Sequence, residues 1–420
     1  MVATPAKTTI LSALLPASVC VFLFSIQLIA IHSAQAESLP EKPECVQRLA
    51  ELSVLARSPN TALVIYENLA TDCPQSADAH YAFGVALKKL TRLVEAKREF
   101  ARALEIKDSV AYRVTLGVVA FELGSVDEAA QLFARASELD PRSVSALQGS
   151  AWVAAQQSDF KKALELIERA LAIDNNNADL LFNRAALAER MKNYPQAQAD
   201  YERVTSLDSS QVVAWCRLGM LRFAGADKEG AIAPLTQCVK QGGVKQGGVK
   251  QGGGTESDSG QASSEEIAVQ VKEGAVFLAR ALGATGELER AEITLRRMLE
   301  KNPNDVALKV SLAETYIRMQ RFDEAMATAR AATLLNSSDP RTWSALGQAA
   351  LGLGDNAQAE TALSKARGLS GDDKDPTLLN NLGVLQLRLG RKEESRTLFE
   401  AALKIDQQFE AARNNLKSIE

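Results

Sequence analysis

Trp343-Ser344-Ala345-Leu346-Gly347, followed by Ala359 and Leu363, is the stretch that decides the fold. A small residue, Gly347, precedes Ala359 by 12 positions, and a large one, Leu363, follows it by four. Working backwards, alanines recur at Ala325 and Ala291, each 34 residues earlier, and Ser395 takes the place in the next unit. Nearer the N-terminus the series runs through Ala62, Ala96, Ala129, Ala163, Ala197 and Ala231 at intervals of 34, 33, 34, 34 and 34. A small residue stands 12 positions before each: Ala50, Gly84, Gly117, Ala151, Ala185, Gly219, Ala279, Ala313, Gly347 and Gly383. Large residues follow in most units, among them Tyr66, Phe100, Phe133, Tyr201 and Phe399. A fixed period of this length signals a repeat architecture. Two helices that cross closely need small residues where their backbones meet, and a short link makes them antiparallel. Pro74, Pro141 and Pro303 fall where each second helix must stop.

This pattern resembles the tetratricopeptide repeat family, whose units read W-x2-L-G-x2-Y, then A-x3-F, then P. Trp343 to Leu363 reproduces much of it, and so does Trp215-Cys216-Arg217-Leu218-Gly219 with Ala231 and Leu235. Arg222, Gln386, His80 and Lys309 depart from the apolar residues the family prefers. The resemblance implies an all-α chain, a right-handed α-solenoid of about ten helical hairpins. Six repeats are expected over 43–238 and four over 266–408. Phe409, Ala412, Leu416 and Ile419 form one apolar stripe in 409–420, as a capping helix requires. Between Ala231 and Ala291 the period is broken by residues 239–265, which contain VKQGG three times and then a Gly/Ser-rich run. Such a run buries too little apolar surface to offset ordering, so a mobile loop is expected there. It reads either as a tether or as an expansion tolerated between two hairpins.

Residues 1–36 differ from the rest. Lys7 is the only Lys, Arg, Asp or Glu before Glu37, Ile10 to Ile31 is nearly all apolar, and Ala34-Gln35-Ala36 resembles a cleavage site. That order is the pattern of an export signal. The apolar run is also long enough to span a bilayer, so residues 10–31 read alternatively as an uncleaved anchor. Either reading places the repeats outside the cytosol, in a periplasm or secreted, with the membrane touched only through this segment. The net charge of −4 lacks the concentrated positive charge that nucleic-acid binding needs.

Four cysteines follow the leader: Cys45, Cys73, Cys216 and Cys238. Counting outward from the Ala50/Ala62 crossing sets Cys45 near Cys73, and the Gly219/Ala231 crossing sets Cys216 near Cys238. Disulfides within single repeats are expected in an exported chain, while buried free thiols remain the other reading of Cys216 and Cys238. The spacings match no zinc pattern, so no metal or other cofactor is expected.

Beyond the leader, His80 is the sole histidine, and it falls where a repeat places a packing residue. No catalytic residue is assigned, and the chain reads as a binding scaffold rather than an enzyme. In the family, the first helices of successive repeats line a concave face. On this chain that face comprises Tyr81, Val85, Val114, Val118, Phe121, Trp152, Phe182, Met220 and Phe223. Further on it turns polar, with Glu314, Arg318, Arg341, Gln348, Asn380, Asn381 and Arg388. The expected partner is a protein or peptide gripped by this strip. The competing reading is a self-assembling module that forms homo-oligomers.

Overall fold

The computed structural model describes residues 43–245, 264–371 and 374–419; the expected export signal 1–36 and the middle of the insertion lie outside these. All the regular structure among the described residues is helical. Two compact units divide at Ala214–Trp215. The first unit opens with α1 Pro43–Ser53 and α2 Pro59–Asp72, then α3 Ala77–Lys89 and α4 Leu93–Ile106. It continues through α5 Val110–Glu122 and α6 Val126–Leu139, then α7 Val144–Gln156 and α8 Phe160–Ile173, and ends with α9 Ala178–Arg190 and α10 Tyr194–Leu207. Helix α11 Val212–Ala224 contains the boundary, and α12 Lys228–Lys245 pairs with it. The second unit then carries α13 Ser264–Ala284 and α14 Leu288–Lys301, α15 Val306–Arg318 and α16 Phe322–Leu335. Its last pairs are α17 Pro340–Leu353 with α18 Asn356–Ser370, and α19 Pro376–Arg388 with α20 Lys392–Ile405, before the short α21 Glu410–Lys417. Ten hairpins and a terminal helix, as the period demands, are therefore present among the described residues.

Local chemistry starts and stops these helices. Ser76, Ser109, Ser143, Asn177 and Asp305 each accept a hydrogen bond from the backbone N–H three residues on, which satisfies a donor the helix leaves open. Pro74, Pro141 and Pro303 each stand two residues beyond a helix end. From the second hairpin to the tenth, one residue of each inner turn adopts positive φ: Thr91, Gly124, Ser158, Lys192, Ala226, Gly286, Gln320, Gly354 and Gly390. The Thr91 N–H donates to the Lys88 carbonyl and the Arg92 N–H to that of Leu87, closing the helix end in a Schellman turn. The other eight turns repeat this pair of bonds.

The crossing inside each hairpin is tight. A Cβ placed on Gly84 would lie 2.7 Å from the Phe100 ring, one on Gly117 2.8 Å from Phe133, and one on Gly347 2.6 Å from Leu363. Each glycine thus faces the large residue 16 positions later, which sits four beyond the repeat's alanine. Those alanines, from Ala96 to Ala359, are completely buried. Ser395 stands in for the last of them because its hydroxyl donates to the Gly383 carbonyl at 2.8 Å, leaving no buried polar atom unpaired. Phe133 is hemmed in twice, since Gly149 of the next repeat also leaves no room for a Cβ against its ring.

Two expectations are corrected. Ala50, assigned to the first crossing, is exposed: among the described residues no earlier repeat stands beside α1, and residues 54–58 connect it to α2 without the tight turn. The insertion, expected to be mobile over 239–265, is helical at both edges. The first VKQGG copy extends α12, where Gly242 packs against Val271 so closely that no Cβ would fit, and the Lys301 ammonium donates to the Gly243 carbonyl at 3.2 Å. At the other end the cap forms as expected. Ala412 and Ile419 are buried, and Asn415 Nδ2 donates to Asn380 Oδ1 at 2.9 Å.

Two kinds of glycine should separate in unfolding experiments. Gly117→Val should cost about 1–3 kcal/mol by overpacking against Phe133, and shrinking the ring with Phe133→Leu should recover part of it. Gly354, at φ +78° with nothing within 4 Å of where a Cβ would stand, faces only a conformational penalty. Gly354→Ala should cost about 1–2 kcal/mol, and Phe133→Leu should leave that cost unchanged.

Candidate protein-binding face

In the first unit, Tyr81, Phe121, Trp152 and Phe182 lie half-buried on the first helices of four successive repeats. Tyr81 is held from three sides. Its ring lies 5.1 Å from that of Tyr112 and 5.4 Å from that of Phe100, and its hydroxyl shares a 3.2 Å hydrogen bond with Thr115 Oγ1. Burial raises its pKa, with Thr115 acting against the shift. Phe121 and Trp152 approach with ring centroids 6.2 Å apart, and Phe182 meets Tyr201 edge-on at 5.5 Å. Val85 packs partly against Leu87, Phe100 and Leu116. Val114 and Val118, only 2% and 4% exposed, belong to the core with Ala129, Phe133 and Val153. They leave the expected strip because the neighbouring first helix covers them.

The second unit shows the same sorting. Met220 is 4% exposed and therefore a core residue, again contrary to the expected strip. Phe223 is half-buried, its ring edge-on to Phe277 at 5.4 Å. Among the polar residues, Arg318, Arg341 and Arg388 are exposed, and Gln348 is half-buried. Arg341 forks onto Asp339, while the Arg388 guanidinium donates to the Leu351 carbonyl at the end of α17. Arg280 stands 3.9 Å from Glu314. Burial raises the Glu314 pKa, and the nearby Arg280 and Arg341 oppose that rise. Asn380 and Asn381 are buried, Asn380 by its bond to the cap, so neither lines a groove.

Several ionic contacts escaped the sequence reading. Arg184 makes a bidentate pair with Asp200 at 2.8 and 2.7 Å, and Asp200 is 1% exposed. Lys88 meets Glu122 at 3.0 Å across successive repeats. Burial raises the Glu122 pKa, and Lys88 counters it. The only trace of that pair in the sequence is two opposite charges 34 residues apart. His80 Nδ1 shares a 2.7 Å hydrogen bond with Glu99, tying α3 to α4, which is a packing role. Cys45 and Cys73 stand side by side with Cα atoms 6.0 Å apart, and Cys216 and Cys238 at 4.9 Å, both within disulfide range. Among the described residues no group of three or more His, Cys, Asp or Glu could hold a metal ion, and no helix is long and apolar enough to cross a membrane.

Profiles described as tetratricopeptide repeat match residues 114–178, 178–211, 284–349 and 344–410. The chain belongs to the tetratricopeptide repeat family. Tetratricopeptide repeats form scaffolds for protein–protein interaction. One relative, the cytochrome c-type biogenesis protein CycH of Bradyrhizobium diazoefficiens, is 34% identical over 124 residues, spanning 29% of this chain and 33% of that protein. Another, the general transcriptional corepressor trfA of Dictyostelium discoideum, is 27% identical over 125 residues, spanning 30% of this chain and 9% of the corepressor. The match thus spans a third or less of either relative's length. Among solved structures, Pseudomonas aeruginosa pilF is 16% identical with a TM-score of 0.45, covering 57% of this chain and 97% of that one.

The division between core and face is testable by stability. Met220→Ala should cost about 2–5 kcal/mol. Arg341→Ala should cost less than about 1 kcal/mol, as exposed ion pairs do. Chemical denaturation followed by circular dichroism measures both.

Proposed function

We propose that this protein is an exported adaptor whose first unit holds an extended segment of another protein against Tyr81, Phe121, Trp152 and Phe182. The observation that carries this reading is the Phe121–Trp152 pair, two large rings left half-buried on successive first helices. Large rigid aromatics with part of their surface uncovered are the usual anchors of protein interfaces. Arg318 and Arg341 of the second unit offer a separate charged surface for polar contacts. Export is supported by the order of residues 1–36, read either as a cleaved signal or as an anchor. It is also supported by four cysteines that fall into two neighbouring pairs, which we take to be disulfides in an oxidising compartment. One relative is named for the biogenesis of c-type cytochromes, so help in the biogenesis of another exported protein is the task we favour. No catalytic role is assigned.

A second reading, homo-oligomerisation, is favoured by Val46 on α1 and by Val54 and Leu55 in the link after it, all exposed apolar residues. Crosslinking in the host cell, with mass spectrometry of the adducts, decides between them. A different protein should be captured, and Trp152→Ala should weaken its capture by roughly tenfold or more, as an anchor residue does. Arg135→Ala, an exposed change on α6, should leave capture intact. Adducts made only of this chain would favour self-assembly, and capture unaffected by Trp152→Ala would remove the aromatic face from the mechanism.

A further inference from the structure

Helix α1 is attached unlike any other first helix. The later hairpins close through a positive-φ turn, and their small crossing residues are buried against the second helix. Helix α1 reaches α2 through residues 54–58, and its Ala50 is exposed. Among the described side chains of α1, Cys45 alone is buried, while Leu49 and Leu52 pack only partly against the cluster of Tyr66, Leu69 and Ala79. The ion pair of Arg48 with Asp72 is 46% and 51% exposed, and such a pair adds little. A helix of 11 residues is marginal by itself. What remains is the junction of Cys45 with Cys73, both buried, at the far end of α2.

We propose that α1 is a redox latch. While Cys45 and Cys73 are joined, α1 stays seated on the edge formed by α2 and α3. A dithiol reductant releases it. One thiolate of the reductant attacks a sulfur of the bond to give a mixed disulfide, and its second thiol resolves that intermediate. The reductant leaves as a cyclic disulfide, and the protein gains two electrons and two protons as two free thiols. Access comes from fraying, to which a terminal helix with so little buried surface is prone. Release uncovers the apolar edge of Tyr66, Leu69 and Phe83, the side that a preceding repeat would cover. The second pair differs. Cys216 and Cys238 are completely buried, and α11 and α12 are also fastened by Gly219 against Leu235. Their reduction leaves both helices in place.

The latch rests on the Cys45–Cys73 bond proposed above, and the experiment reads the two separately. Peptide mapping of the full exported chain without reductant should show the Cys45–Cys73 link. Hydrogen–deuterium exchange, read by mass spectrometry before and after dithiothreitol, then follows α1. On reduction its amides should exchange at least about tenfold faster, while those of α5 to α10 keep their protection. Fluorescence of 8-anilinonaphthalene-1-sulfonate should rise with the same time course. C45A should show the released pattern without reductant. A map lacking the link overturns both the bond and the latch. A link that reduces while α1 keeps its protection leaves the bond standing and overturns the latch.

Discussion

The close passage of a small residue past a large one, once in each hairpin, is the contact on which the remaining structure depends. Gly84 against Phe100, Gly117 against Phe133, Gly347 against Leu363 and Gly383 against Phe399 are four instances of one geometry. Interiors pack as densely as organic crystals, so an added methyl group at such a point must move a neighbour. The buried alanine four residues before the large side chain allows the second helix to approach, and the crossing then fixes the hairpin. Once the hairpins have one shape, stacking them follows. Phe133 shows the link between the two steps, because its ring fills the space against Gly117 in its own repeat and against Gly149 in the next.

Stacking also decides what is left for binding. A first helix has a neighbour on each side, and the residues turned towards those neighbours disappear into the core, as Val114 and Val118 do. Residues turned away keep part of their surface. Trp152 and Phe121 are large enough to approach each other and still keep part of their surface open. Polar residues obey the same rule: Asn380 is drawn under the cap by Asn415, while Arg318 stays outside. The first and last described hairpins differ because each has a described repeat on one side only. The C-terminal end receives α21, with buried Ala412 and Ile419. At the other end α1 has little to pack against, and Cys45, set beside Cys73, is its one buried side chain among those described.

The period was legible because it is carried by residues with no substitute. Only alanine, or a serine with a carbonyl to bond, fits the second-helix position, and proline marks the stop. The nearness of Cys216 to Cys238 was legible for the same reason, since the Gly219 crossing puts fixed positions opposite one another, whereas Cys45 lies beside Cys73 although Ala50 makes no such crossing. The positive-φ turns were not, because five of the nine residues that adopt them are not glycine: Thr91, Ser158, Lys192, Ala226 and Gln320. There the bonds to the preceding helix end impose the conformation. The pair of Arg184 with Asp200 was equally hidden, as charges 16 apart carry no signal until the crossing brings them together.

By itself the sequence determined the helical hairpins, their number, the cap and which cysteines stand side by side, because each depends on spacing along one chain. It also showed the VKQGG copies, though not that the first copy would be seated as helix against Val271. Tertiary structure alone decided which side chains of the first helices are surface. Val118 and Trp152 occupy the same position in successive repeats, yet one is core and the other is partly open. The physical reason is that exposure depends on the size of a side chain relative to the space between neighbouring helices, and that space exists only after the repeats have stacked.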